Sequence, residues 1–195
     1  MDPGSRNPEY EPGYLLGPRT ADILRLNDGE TIQVTNWWKP GGSETYIATF
    51  SILQQDGVRH DLIAKSCIKM CPKETMHEWL DRRSILTENG VLFPELYAVD
   101  GATLVEEYIP FSFKDAYNVA DVSVKKELHY KYIDMYKKIC GSGFKPASMH
   151  DVRSRGNDVV MIDVGEDLGG RLHIDQTNMS VIIKAERNFK ESTGS

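Results

Sequence analysis

The sequence predicts an α+β fold, and three observations carry it. Five β-rich segments fall within residues 31–109, parted by glycine, proline and Asp-Gly turns. Two stretches with apolar residues at spacings of three and four give one helix after the third segment and another after the fifth. A short hairpin pattern near residue 156 follows the second helix.

Residues 1–20 hold Pro3, Gly4, Pro8, Pro12, Gly13, Gly17 and Pro18 among polar neighbours, and read as a flexible arm. Residues 31–38 (TIQVTNWW) make the first strand. Lys39, Pro40, Gly41, Gly42 and Ser43 break it, and residues 45–53 (TYIATFSIL) resume the pattern. Residues 61–68 (DLIAKSCI) form a third strand with Lys65 embedded in it. Pro72 suits the first turn of a helix whose Met76, Trp79, Leu80, Arg83 and Leu86 share a face. Asn89-Gly90 is its left-handed stop.

Residues 91–99 (VLFPELYAV) are a short strand interrupted by Pro94. Asp100-Gly101 turns the chain into a fifth strand at residues 102–109 (ATLVEEYI), and Pro110 ends it. Asp121 or Ser123 caps the next helix, with Val124, Leu128, Tyr132, Met135 and Ile139 as its buried stripe. Lys137 and Lys138 suit its C-terminal end, and Gly141 is the expected stop. Residues 179–185 read as a strand or short helix, and residues 186–195 as a polar tail.

The chain has 195 residues, of which 40% are hydrophobic and 27% charged, enough for one domain or one and a half with a substantial core. A net charge of −6 argues against general binding to nucleic acid or an anionic membrane. No run of 18 apolar residues is present, so no membrane span is expected. The first residues carry neither a basic region nor an apolar one of the Sec type. The expected location is the cytoplasm, or a host cytosol reached by another secretion route. Cys67, Cys71 and Cys140 form no Cys-x-x-Cys pair and read as reduced thiols; a zinc site on Cys67, Cys71 and two histidines is the rival.

The chemistry centres on residues 149–170 (MHDVRSRGNDVVMIDVGEDLGG). An apolar run, residues 159–162, delivers Asp163 into Asp-Val-Gly, a carboxylate held by a strand beside a glycine-relaxed backbone. That suits metal-phosphate chemistry. Lys65 points the same way, because a lysine embedded in an apolar strand is costly unless an anion pairs with it. Its rival role is a solvent-facing residue of an edge strand.

The order of strand, glycine turn, strand, lysine strand, helix, two strands, helix, hairpin and Asp-Val-Gly resembles the protein-kinase-like superfamily. That superfamily includes protein kinases and aminoglycoside phosphotransferases. The resemblance covers roughly residues 30–170. It implies a five-stranded antiparallel N-lobe sheet with one helix, residues 21–109, and a strongly reduced helical C-lobe, residues 110–185. Gly41, Gly42 and Ser43 would cover the phosphates of ATP, and Ile63-Ala64-Lys65 looks like the strand whose lysine grips them. Glu78 would pair with Lys65, with Asp81 as rival. The run 104–109 looks like the adenine-lining strand and hinge, with Glu107, Tyr108 and Ile109 at the base. Asp163 would hold Mg²⁺.

Two alignments of the catalytic loop compete. In one, His150-Asp151 is a shortened His-x-Asp, Asp151 is the base and Asn157 is a second metal ligand. In the other, residues 144–148 are the loop, residues 149–152 and 159–162 form a hairpin, and residues 154–158 are its turn. That puts Gly143 where a base belongs and Ser148 at the asparagine position.

The small C-lobe is similar to compact bacterial effector kinases such as the HopBF family. This implies an ATP- and Mg²⁺-dependent kinase, expected as a monomer, acting on a Ser or Thr hydroxyl of a protein, with a host chaperone such as Hsp90 as the acceptor. The competing expectations are an aminoglycoside-type kinase, with Glu166, Asp167 and Asp175 attracting a cation, a nucleotide-binding pseudokinase, and an unrelated α+β domain.

Overall fold

The computed structural model describes residues 31–38, 45–53, 59–67, 73–100, 103–144, 152–164 and 178–193. It is a mixed α+β protein with antiparallel sheets, and its contacts divide it into two compact units. The first comprises residues 1–77 and 95–108, the second residues 78–94 and 109–195. No helix among the described residues is long and apolar enough to cross a membrane.

The first unit is built on five strands: β1 (Thr31–Trp38), β2 (Thr45–Leu53), β3 (Arg59–Cys67), β4 (Leu96–Asp100) and β5 (Thr103–Glu107). Their order is β1-β2-β3-β5-β4, every neighbouring pair antiparallel, so β3 is the middle strand. The β-branched and aromatic residues of β2 and β3 favour a pleated ribbon, and alternation sends their side chains to opposite faces. One face gathers Ala48, Phe50, Ile52, Leu62, Ala64 and Val105 into an apolar core. The other carries Thr49, Ser51, Leu104 and Glu106, also buried, so a polar lining is enclosed on that side.

The second unit forms around α3 (Val122–Gly141). Asp121 is its N-cap: the carboxylate accepts from the Ser123 and Val124 amides at 2.9 Å each, and Ser123 Oγ donates to it at 2.7 Å. These bonds hold the Asp121 carboxyl below its usual range. Leu128, Tyr132, Ile133, Met135, Tyr136 and Ile139 give the buried stripe, nearly as the spacing predicts.

Helix α1 (Lys73–Glu88) contributes to this second core through Leu86, Trp79 and Ile85, which join Val91 and Phe93. Residues 78–94 therefore group with the second unit, where the sequence reading assigned them to the N-lobe. Arg83, read as one of the apolar stripe, is indeed buried. Its guanidinium lies 5.3 Å from the Trp79 ring and 5.1 Å from the Phe93 ring, and donates to the Pro94 carbonyl.

Helices α1 and α3 end in the same way. After α1, the Val91 amide donates to Leu86 O and the Gly90 amide to Thr87 O, with Gly90 at φ +80°. After α3, the Phe144 amide donates to Ile139 O and the Gly143 amide to Cys140 O, with Gly143 at φ +83°. Each is a Schellman stop that needs a left-handed residue followed by a buried apolar one. Gly143, not Gly141, is thus the stop of α3. Helix α1 has no basic residue in its last turn, and Lys138 of α3 supplies one by donating to Gly90 O at 3.1 Å.

A two-stranded sheet, β6 (Val152–Arg155) and β7 (Asp158–Met161), turns at Gly156-Asn157. Outside it, the Ser154 amide donates to Phe111 O and the Met161 amide to Leu92 O. One element was not foreseen, and another is longer than the strand or short helix read at residues 179–185. Helix α2 (Phe113–Val119) starts at Ser112, whose Oγ accepts from the Asp115 amide at 3.0 Å. Helix α4 (Asn178–Thr193) runs through most of the expected tail. Ala185, Phe189 and Thr193, four apart, are all buried on it, and Phe189 meets the rings of Phe113, Tyr117, Tyr132 and His129.

Phe189→Ala should therefore lower stability by about 3–5 kcal/mol in urea denaturation, the usual cost of emptying a buried aromatic site. A change below about 0.5 kcal/mol would return residues 186–195 to the status of a tail.

Candidate functional site

A lysine on the middle strand of a sheet has neighbours on both edges, so water reaches it poorly. Lys65 is opposite Ile47 of β2 and Leu104 of β5. Glu106 lies two residues beyond Leu104 and so shares that face. The two side chains meet, with Lys65 Nζ 2.5 Å from Glu106 Oε1, and they are 15% and 1% exposed. Burying two charges is tolerable only when each offsets the other. The edge-strand alternative for Lys65 is therefore excluded.

Glu106 is the residue that sequence reasoning missed. The resemblance implies a helical carboxylate as the Lys65 partner, whereas the carboxylate that meets Lys65 is on β5. The available signal was a second charge set inside an apolar strand, Leu104-Val105-Glu106, with opposite sign to Lys65. Glu78, the expected partner, has a side chain 69% exposed and stands 3.9 Å from Arg82 one turn on.

On the same face as Lys65, Ser51 Oγ donates to Asp61 Oδ1 at 2.6 Å, and Arg59 Nε donates to the same oxygen at 2.8 Å. The Ser51 bond first, and Arg59 after it, hold the Asp61 carboxyl below its usual range.

The expected hinge is the place where the chain leaves the first unit, between Tyr108 and Ile109. Its amides are largely committed. Glu107 N donates to Glu95 O at 2.8 Å, and Tyr108 N donates to Asp61 O at 2.9 Å. Tyr97 OH stands 3.3 Å from His60 Nδ1 and donates to Glu95 Oε2 at 3.4 Å. Partial burial, then the Glu95 charge, raises the Tyr97 hydroxyl above its ordinary value.

In the second unit β7 ends at Met161, and Asp163 follows as an exposed carboxylate between half-buried Ile162 and fully buried Val164. The strand and the Val164 anchor fix its backbone. Val152, the first residue of β6, pairs with Met161. Asp151 itself, like Gly41, Gly42 and Ser43, lies outside the described residues, as do residues 145–150.

Asn157 is corrected. It occupies the turn of the hairpin, where its Nδ2 donates to Glu127 Oε2 at 3.2 Å and its carbonyl accepts from Lys131 Nζ at 2.9 Å. Lys131 also pairs with Glu127 at 2.7 Å and Asp158 at 2.9 Å, so the turn is fastened to α3. Those two carboxylates, Glu127 first, raise the Lys131 ammonium above its usual range. The length of β7, about 10 Å at the rise of a strand, separates Asn157 from Asp163. The Asn157 side chain is thus engaged with α3, at the other end of β7 from Asp163. Among the described residues no three His, Cys, Asp or Glu side chains gather as a metal site.

No family model matches the chain, and no curated protein is similar to it.

The lowered carboxyl of Asp61 sets a pH dependence. A depressed folded value contributes stability above the unfolded carboxylate value, about pH 3.9, and the contribution is lost as pH falls through the folded value. Asp61 is half-exposed, so Asp61→Asn should cost at most about 1 kcal/mol at pH 7. The difference from wild type should shrink towards pH 3 in urea denaturation. An equal loss at both pH values would contradict this account.

Proposed function

We propose that this protein is an ATP- and Mg²⁺-dependent phosphotransferase of protein-kinase-like organisation. The observation that carries the reading is Lys65: a lysine enclosed on the middle strand of an antiparallel sheet, kept with a carboxylate, and still 15% exposed. A purely structural site is better served by a hydrophobic residue of similar volume, because a buried ion pair is often neutral or worse for stability. A charged group retained there suits a phosphate partner.

In this reading the Lys65 ammonium meets the nucleotide phosphates. The oxygen of a Ser or Thr hydroxyl on a protein attacks the γ-phosphorus. The bond from that phosphorus to the β–γ bridging oxygen breaks, ADP leaves, and the hydroxyl proton passes to Asp151. Asp163 suits Mg²⁺, which commonly takes one or two carboxylates together with substrate phosphates and water. The ion, when bound, offsets the charge of the β- and γ-phosphates. The protein acceptor, a host chaperone such as Hsp90, rests on the resemblance to compact effector kinases.

The hairpin favours a second reading. β6 and β7 with the turn at Gly156-Asn157 fit the alignment in which residues 144–148 are the catalytic loop, and Gly143 is spent as the stop of α3. That alignment supplies no carboxylate base and describes a nucleotide-binding pseudokinase.

Thermal unfolding with ATP, with and without Mg²⁺, tests the reading. Ligand at about 100 times its Kd stabilises by roughly 2.7 kcal/mol, several degrees for a domain of this size. The expected result is a Mg²⁺-dependent rise in Tm that Asp163→Ala loses. No rise at millimolar ATP would contradict the reading. Transfer from radiolabelled ATP separates the two forms of it. Asp151→Asn should keep the Tm rise and lose about 10²–10⁴-fold in transfer if Asp151 is the base; a wild type that binds without transferring would be the pseudokinase.

A further inference from the structure

We infer that Glu106 is a positioning residue for the phosphate grip of Lys65, a role the resemblance would give to a carboxylate on the helix. The inference rests on the phosphotransferase reading and deepens it. Glu106 is 1% exposed and sits on the strand next to the one that carries Lys65. Both positions are fixed by backbone ladders: β3 pairs with β5 through Leu62↔Glu107, Ile63↔Glu106 and Lys65↔Leu104.

A four-carbon lysine stem is flexible, and a counter-charge at 2.5 Å fixes where its ammonium sits. An ammonium carries three N–H donors, and phosphate oxygens accept from such a group. In its cross-strand row Glu106 is flanked by Ile63 of β3 on one side and Leu96 of β4 on the other, so its lateral neighbours are apolar and its counter-charge is Lys65. The sheet itself, with no helix movement, therefore sets the lysine.

A double-mutant cycle on MgATP affinity tests this. The variants are Glu106→Gln, Lys65→Met and their combination, with MgATP titrated by calorimetry. Glu106→Gln should weaken MgATP about tenfold, the usual size for one oriented charged contact, and Lys65→Met by at least as much. In the Lys65→Met background Glu106→Gln should have no further effect, because Glu106 acts only through the lysine. Glu106→Asp, which keeps the charge and the fold, should recover part of the loss.

Additive losses would make Glu106 a structural residue and overturn the inference. So would a Glu106→Gln protein that binds MgATP like wild type while Lys65→Met does not, and in that case the nucleotide site itself stands. If wild type fails to bind MgATP, both the reading and the inference fall. Should Glu106→Gln not fold, Glu106→Asp alone decides: unchanged MgATP affinity would overturn the inference.

Discussion

Placing a lysine in the middle of a β-sheet imposes a condition on everything around it. Lys65 has strands on both sides, and a buried ammonium without a counter-charge costs several kcal/mol. Glu106 meets that condition from β5. The register of β3 against β5 is then constrained twice, by the apolar face of Leu62, Ala64 and Val105 and by this ion pair. A slip of one residue would send Glu106 into the apolar face and strand both charges. The register of the sheet and its buried ion pair are thus tied together.

The second unit solves a different problem, the closure of several short elements around one long helix. Helix α3 offers six buried side chains along a single stripe. The loop after α1 is held to its own helix by Arg83, wedged between Trp79 and Phe93. The hairpin turn is fastened to α3 by Lys131, and α4 closes the aromatic cluster with Phe189. Asp163 follows the end of β7 within this unit, next to the buried Val164. A carboxylate placed in this way needs little reorganisation to meet a cation.

The strands and helices α1 and α3 were legible because their signals are local. Alternation, Gly turns, the stripe of α3 and the Asn89-Gly90 stop each act within a few residues. Helix α2 left only a Ser112-x-x-Asp115 capping signature, on a segment of seven residues that gives periodicity little room. Among the described side chains of helix α4 the buried ones are small or isolated: Ala185, Phe189 and Thr193. Its stability comes from the rings it meets, which no local pattern records.

Lys65 and Asp163 stood out in the sequence because at each one charge interrupts an apolar run. The partner of Lys65 did not, because strand register is a long-range property and a family resemblance pointed to the helix. Asn157 was misread for a related reason. Its side chain is engaged with α3, a long-range contact at the other end of β7 from Asp163.

The most direct test is chemical labelling with an acyl phosphate of ATP. Such a reagent transfers its acyl group to the lysine beside the phosphates, and peptide mapping then locates it. The account predicts acylation at Lys65, suppressed by excess MgATP. Labelling spread over surface lysines, with Lys65 unmodified and no protection by MgATP, would contradict it.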